Sequence, residues 1–392
     1  MRATGTVSRG IRTPIIKRGD NLIEIVAQSV LASSAEEGFS FYDRDVVGVT
    51  EAVVARAQGN YATLSQISKD VRTKFPGGVV GLVFPITSRN RFSQILRGIV
   101  GGVDKIYIQL SYPSDEVGNP LISLDLIDEK GIDPFTDVID EARFRELFGK
   151  VTHPFTGVDY IDYYKELCQG KAEIILANDP RAILAYTKDV ITADIHTRVR
   201  SKRLLQAAGA NKVLGLDEIM DAPVDGGGFH PQYGLLGSNL ATDDSVKLFP
   251  RDTQQFVDGL AQRLNELTGK NIEVLVYGDG AFKDPVGGIW ELADPVVSPG
   301  YTAGLIGTPN ELKLKYIADN ELNELSSTDA GEAMKELIKN KKDDLVNNMV
   351  SQGTTPRRLT DLLGSLCDLT SGSGDKGTPV VLIQRYFDTY AD

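Results

Sequence analysis

Three stretches of the sequence put polar residues just past, or just before, apolar runs. Such strand ends are where open α/β folds present ligand-binding groups. Thr50 and Glu51 follow the run VVGV at 46–49. Asp279, between Gly278 and Gly280, follows the apolar run 272–277. It suits a metal or nucleotide ligand, although turn chemistry by itself also favours Asp-Gly there. The third stretch, TSGSGDKGT at 370–378, precedes the apolar run 379–384. Its glycines at 372, 374 and 377, with Ser373 and Asp375 between them, would let backbone N–H groups approach phosphates. A flexible linker has the same composition, but a position between a helix and a strand argues for an ordered connection.

Other candidates carry plainer readings beside the functional one. Lys17 ends the extended run PIIK at 14–17, and a lysine there is more often solvated than functional. Arg89 and Arg91 fall in the first turn of a helix expected at 88–99, where a cation is unfavourable unless an anion compensates it. Surface pairing with acids is the favoured reading. Asp115, Glu116 and Asn119 could be oxygen ligands, but their loop setting favours turns. Gly226 to Gly228 permit close backbone approach to a ligand, or form a mobile surface loop. No Gly-Lys-Ser/Thr follows, so they are not a P-loop. His230 lacks spaced metal-ligating partners. The basic run Arg198, Arg200, Lys202 and Arg203 reads as a solvated face.

The elements that must position these residues give a mixed α/β fold. Arg18-Gly19-Asp20 makes a turn, and Asp20 is the expected N-cap of a helix with Leu22, Ile25, Val26, Ser29 and Val30 on one face. Helices are expected at 65–75 and 88–99 and strands at 79–84 and 105–110, while 179–209 reads as largely helical. The aromatics Phe155, Tyr160, Tyr163 and Tyr164 should pack a helix against a core. Asp252 should cap a helix that ends before Gly269, and residues 311–347 read as a charged helical subdomain. A helix at 358–369 leads into the glycine-rich loop and the terminal strand.

The length of 392 residues allows two or three domains, or one core with large insertions. Hydrophobic content of 41% and charged content of 24% are ordinary for a soluble globular protein. A net charge of −12 opposes general binding to nucleic acid. The N-terminal residues lack the apolar core of a signal peptide, and the best apolar run, 77–86, is too short to span a bilayer. Cys168 and Cys367 make neither a disulfide framework nor a metal cluster. A cytoplasmic protein acting on a small molecule, with no nucleic acid or membrane partner, is the expectation.

Four blocks, in order, resemble the coenzyme F420 γ-glutamyl ligases. GIRTPIIKRGDNL and DRDVVGVTEAVVARAQG are similar to Gly-x-Pro-x-Ile-x-x-Gly-Asp-Asp-Leu, Gly-Asp-Val-Leu-Val-Val and Ser-Lys-Ala-Glu-Gly. GLLGSNLA with KLFPRD is similar to Ala-Gly-Ile-Asp-x-Ser-Asn and Leu-Leu-Pro-x-Asp. RLNELTGKNIEVLVYGDG resembles a helix ending Thr-Gly and a strand entering Asp-Thr, and GSGDKGTPVVLIQ a Gly-Glu-Gly-x-x-Gly-x-Pro loop and strand. The blocks cover roughly a third of the chain.

The resemblance implies an F420 γ-glutamyl ligase-like fold, with residues 1–100 and 221–392 as the core and 101–220 as a large central insertion or subdomain. It also implies GTP or another nucleotide, Mg²⁺ or Mn²⁺, a homodimer, and amide formation through an acyl phosphate. By position, Pro14, Ile15, Ile16, Lys17, Thr50, Glu51, Arg56 and Asn239 would line the nucleotide site. Gly372, Ser373, Gly374, Asp375 and Gly377 would cover the phosphates, and Asp279 would hold metal. Four departures touch the chemistry. Leu236 stands at a metal-binding Asp, Gly280 at the Thr of Asp-Thr, Ser373 at the Glu of Gly-Glu-Gly and Arg56 at a lysine. Either nearby acids such as Asp225, Asp284 and Asp375 substitute, or the metal-dependent reaction is absent. The two functions implied are therefore an amino-acid ligase, plausibly of glutamate, and a non-catalytic nucleotide- or metabolite-binding protein on the same fold. A hydrolase using Asp279 has no positive support.

Overall fold

Runs of Val, Ile and Leu form two separate main sheets, in two compact units of the chain. Residues 1–54, 252–278 and 297–392 make the first unit, and residues 55–251 and 279–296 the second. The structure is a computed structural model. It describes residues 2–89, 91–116, 118–194, 197–278, 282–283, 290–291, 298–342, 344–345, 350–351, 358–371 and 375–392.

The chain opens the first unit with β1 (Val7–Ile11), α1 (Leu22–Glu37) and β2 (Val46–Thr50), and α2 (Glu51–Gln58) leads into the second. Helix α1 buries Leu22, Val26, Ala27 and Val30. Its N-cap is Asn21, whose Oδ1 accepts from the Glu24 N–H, and not the expected Asp20. Asp20 instead closes the preceding turn, accepting from the Lys17 N–H at 2.6 Å.

Within the second unit come β3 (Tyr61–Thr63), α3 (Leu64–Lys74), β4 (Val79–Val83), α4 (Phe92–Gly101) and β5 (Lys105–Leu110). They are followed by α5 (Leu124–Glu129), β6 (Ile139–Asp140), α6 (Glu141–Phe148), α7 (Tyr160–Leu167) and β7 (Ala172–Leu176). Then come β8 (Asp189–Thr192), α8 (Arg198–Ala207), β9 (Lys212–Gly215), β10 (Asn239–Thr242) and β11 (Ser245–Lys247). Strands β7, β5, β4, β8 and β9 are parallel neighbours in that order, with β6 antiparallel on the edge. Counted by appearance the parallel order is 3-2-1-4-5, the doubly wound arrangement of dinucleotide folds. Its helices follow from βαβ crossovers, and burial on both faces explains the continuous apolar strands.

That sheet corrects one expectation. Residues 179–209 are not largely helical: a short 3₁₀ turn, Pro180–Ala185, is followed by β8, and only α8 is an α-helix. The segment Asp-Val-Ile-Thr is a strand because β4 and β9 pair with it on either side. The second unit takes in more than residues 101–220, since β3, α3, β4 and α4 precede that span and β10 and β11 follow it. Strand β4 lies mid-sheet, so the layer cannot form without it.

The first unit resumes with α9 (Thr253–Thr268) and β12 (Glu273–Tyr277). Asp252 stands at the N-cap of α9 in a left-handed conformation, without the side-chain capping bond expected of it. Within the second unit, β13 (Phe282–Lys283) and β14 (Trp290–Glu291) pair antiparallel. The remaining elements are β15 (Gly300–Tyr301), α10 (Leu314–Asn320), α11 (Ser327–Lys339), α12 (Leu359–Ser371) and β16 (Val380–Gln384). The sheet order is β1-β16-β2-β12-β15. Helix α12 packs so closely on β2 that a Cβ at Gly48 would overlap Cys367 Sγ. Among the described residues no helix is long and apolar enough to cross a membrane.

Candidate nucleotide cleft

The first unit's sheet brings four strand ends to one edge. β16 runs antiparallel to β1 and β2, and β12 runs parallel to β2. Ile11, Val380, Thr50 and Tyr277 therefore stand in a row, Ile11 opposite Val380 and Thr50 opposite Tyr277. The Thr50 N–H donates to Pro379 O at 3.0 Å, tying the end of β2 to the entry of β16. The expected placement of Thr50 and Glu51 at a strand end holds. Glu51, the first residue of α2, is 2% exposed. An acid in the first turn complements the helix dipole.

Beside this edge lies an open cleft of about 1100 Å³, walled by residues 10–14, by Lys376 and Thr378, and by one face of α1. Arg12 Nε donates to Lys376 O at 3.2 Å, and Thr378 Oγ1 donates to Ser371 O. These bonds draw the entry to α1 and the loop before β16 into one wall. Ile25 and Ser29, expected on the core face of α1, line the cleft instead. The cleft is electrostatically divided. Arg12 and Lys376 stand on the loop side, and Glu24, Glu36 and Glu37 on the helix. Hydrogen bonds from Arg263 and Gln28 hold the Glu24 carboxyl below the usual range, and Arg9 pairs with Glu37. The helix wall is thus partly neutralised from within the protein, which leaves the loop side fit for an anion.

Pro14 lines this cleft, Ile15 beside it is 78% exposed, Ile16 is buried, and Lys17 is exposed. Asp375 and Gly377 sit in the described arm of the glycine-rich loop, both exposed. Gly372, Ser373, Gly374 and Asp279 lie outside the described residues, as do Gly280 and Asp284. Arg56, exposed in the last turn of α2, and Asn239, at the start of β10, belong to the second unit. Lys376 and Thr378 lie in the loop expected at the phosphates but were not singled out there, and Arg12 was missed by sequence reasoning. The available signal was their charge or hydroxyl within three residues of Pro14 or Asp375.

The second unit accounts for other candidates without a ligand. Asp115 accepts from the Asn119 N–H and side-chain amide and from His153 Nε2, an internal knot that supports the turn reading. Tyr160 and Tyr164 pack in the core as expected. His230 Nδ1 accepts from the N–H groups of Gln232 and Tyr233. Gly227 and Gly228 lie against Gln66, Asn60 and the Tyr61 backbone, where a Cβ would overlap; the glycines serve protein packing. Asp225 is paired with Lys69. Lys202 pairs with Glu218 and Arg198 with Asp217, so part of the basic run on α8 is neutralised.

Leu236 is 7% exposed and belongs to the second unit's core. With Leu235 it fills the crevice at the β4/β8 reversal, where a cavity of only about 30 Å³ persists among Ile86, Phe92, Ala193 and Leu216. An aspartate there would need its charge solvated or paired, so leucine fits this packing and the metal-binding residue does not. Among the described residues no three His, Cys, Asp or Glu side chains are arranged to hold a metal ion.

The sequence profile of the family described as F420-0:Gamma-glutamyl ligase matches residues 10–385. The chain belongs to that family. The match runs through both compact units, and the mixed α/β architecture is consistent with an F420 ligase-like domain. It supports a γ-glutamyl ligase-type function. No curated protein matches the chain.

Proposed function

We propose that the protein is a nucleotide-dependent ligase that joins an amino acid, glutamate by preference, to a carboxylate-bearing small molecule. The observation that carries this reading is the convergence of residues 10–14, Thr50 and residues 375–378 on one sheet edge beside the open cleft. In the reaction, a terminal phosphoryl group of GTP or another nucleotide passes to the acceptor carboxylate and leaves the nucleoside diphosphate. The amine then attacks the acyl phosphate, forms the amide and releases inorganic phosphate. Arg12 and Lys376 would bind and orient the phosphates, since most of the enzyme's contribution to phosphoryl transfer is positioning and charge stabilisation. Asp279 is the residue that would hold Mg²⁺ or Mn²⁺. Leu236 does not fit the family's metal ligand set.

A second reading, a binding protein without catalysis, is favoured by that burial of Leu236. Calorimetry with GTP and ATP, with and without Mg²⁺, tests the first half of the proposal. Binding should weaken by about tenfold or more in Arg12→Glu or Lys376→Glu, equivalent to roughly 1.4 kcal/mol. Phosphate release dependent on both glutamate and an acceptor supports the ligase. Nucleotide binding without turnover selects the second reading, and no nucleotide binding by the folded protein rejects the ligase.

A further inference from the structure

The other end of the same five-stranded sheet holds a second, less open pocket. β1 begins and β16 ends there, each five residues long, so roughly 15 Å of strand separates it from the cleft. Its volume is about 670 Å³, and all its lining residues lie in the first unit. That volume falls in the range of small-molecule sites.

We propose that this pocket is a separate ligand site for a small organic anion with a flat apolar body, such as an aromatic carboxylate. The C-terminal strap supplies Tyr386, Phe387 and Tyr390, and Leu312, Ile338 and Leu359 provide aliphatic surface. Thr6, Thr308, Asn310 and Thr389 add polar surface beside these walls, so the lining can contact an apolar body and hydrogen-bond its charged end. The charged lining selects the sign. Arg44 and Lys341 are cationic, and of the two acids Asp388 is already paired with Arg2, which leaves Glu311.

The two cations are also held in place. Arg44 stacks over the Phe387 ring with 3.7 Å from Cζ to centroid, and its Nη2 donates to Gly304 O at 3.2 Å. Lys341 Nζ donates to Asn310 O, leaving further N–H donors on each group. Arg44 has φ of 65°, an uncommon backbone state for a side-chain-bearing residue, and its N–H is fixed by Asn271 O at 2.7 Å. Burial and Glu311 both push the Tyr386 phenol up, so it stays a proton donor. A guanidinium preset on an aromatic face suits a planar anion, which it can meet by charge and by stacking.

The test uses the intact protein and 4-fluorobenzoate followed by ¹⁹F NMR, with cyclohexylammonium as the cationic control. Saturable binding of the benzoate should weaken about tenfold in Lys341→Glu and again in Phe387→Ala, while Lys376→Ala in the cleft leaves it unchanged. Circular dichroism identifies a variant that has failed to fold, and Lys341→Glu, a partly exposed change, carries the test if Phe387→Ala does so. No saturable binding, equal binding of cyclohexylammonium, or benzoate binding lost with Lys376→Ala but not with Lys341→Glu would overturn the proposal.

Discussion

In the second unit, the carboxyl ends of the parallel strands are filled. Leu235 and Leu236 occupy the β4/β8 reversal, and Asp115 accepts from Asn119 and His153 beyond β5, although Asn119 Oδ1 is buried without a partner. A cavity of only about 40 Å³ is left beside Thr87, Ser111 and Glu116. Burial, with Asp115 next to it, pushes the Glu116 carboxyl well above the usual range. In the first unit, a smaller mixed sheet without the dinucleotide strand order leaves its corresponding edge open to a cleft of about 1100 Å³. The comparison teaches that strand order nominates an edge for ligand binding, but side-chain volume decides whether the edge is available.

The largest expected effect tests the second unit's side of the contrast. Asp115→Ala should lower unfolding stability by about 3 kcal/mol, because it leaves buried donors of Asn119 and His153 without their acceptor. Nucleotide affinity of the folded fraction should be unchanged. Urea unfolding and calorimetry measure the two, and a stable variant that no longer binds nucleotide would break the comparison.

Next in size is Asp45→Ala, at about 2 kcal/mol. Asp45 is fully buried at the start of β2 and accepts from the N–H groups of Tyr42 and Arg385 and from Gln384 Nε2. The same residue separates the units by pH. Burial raises the folded Asp45 pKa above 3.8, with the Gln384 hydrogen bond partly offsetting the rise. Its ionised form is therefore disfavoured by folding, and its contribution to stability improves as pH falls through that raised value towards 3.8.

Asp159, in the second unit, behaves oppositely. Burial raises its pKa, but the hydrogen bonds and charge of Arg145 together with the Asp162 and Ile161 N–H groups outweigh burial and hold it below 3.8. Its contribution is complete above 3.8 and is lost as pH falls through the depressed value. Denaturant titrations at a series of acidic pH values should show Asp45→Asn removing an acid-side gain and Asp159→Asn removing an acid-side loss. The same sign for both would refute this distinction. The smallest effect is expected at Ile15. With its side chain 78% exposed, Ile15→Ser should alter stability by no more than about 0.5 kcal/mol. A larger change in nucleotide affinity would sharpen the assignment of the cleft.

Much of the fold was legible because strong local patterns coincide with tertiary burial. The expected strand at 105–110 is β5, and the expected helix at 65–75 lies over α3, whose Thr63–Gln66 capping box reinforces its start. Strand β8 was concealed because four residues cannot establish a period against a longer helical pattern. The helix expected from residue 88 begins at Phe92, because Ser88 Oγ accepts from the Arg91 N–H and holds a turn before α4. In the cleft, Pro14, Thr50 and the glycine-rich loop were legible as chemical types, whereas Arg12 and Lys376 required the pairing of β1 with β16 to bring them together.

The sequence alone determined the mixed α/β class, the polar residues at strand ends and the four ordered blocks resembling the family. These depend on local apolar periodicity and residue identity. Only the tertiary structure decided that the first unit's strand edge is open and the second's is filled. Leu236 illustrates the physical reason: its sequence position marks a lost carboxylate, but only packing against Ile86, Phe92 and Leu216 makes it part of a core. Exclusion of water from that crevice is a property of residues brought together across many positions, and no single stretch encodes it.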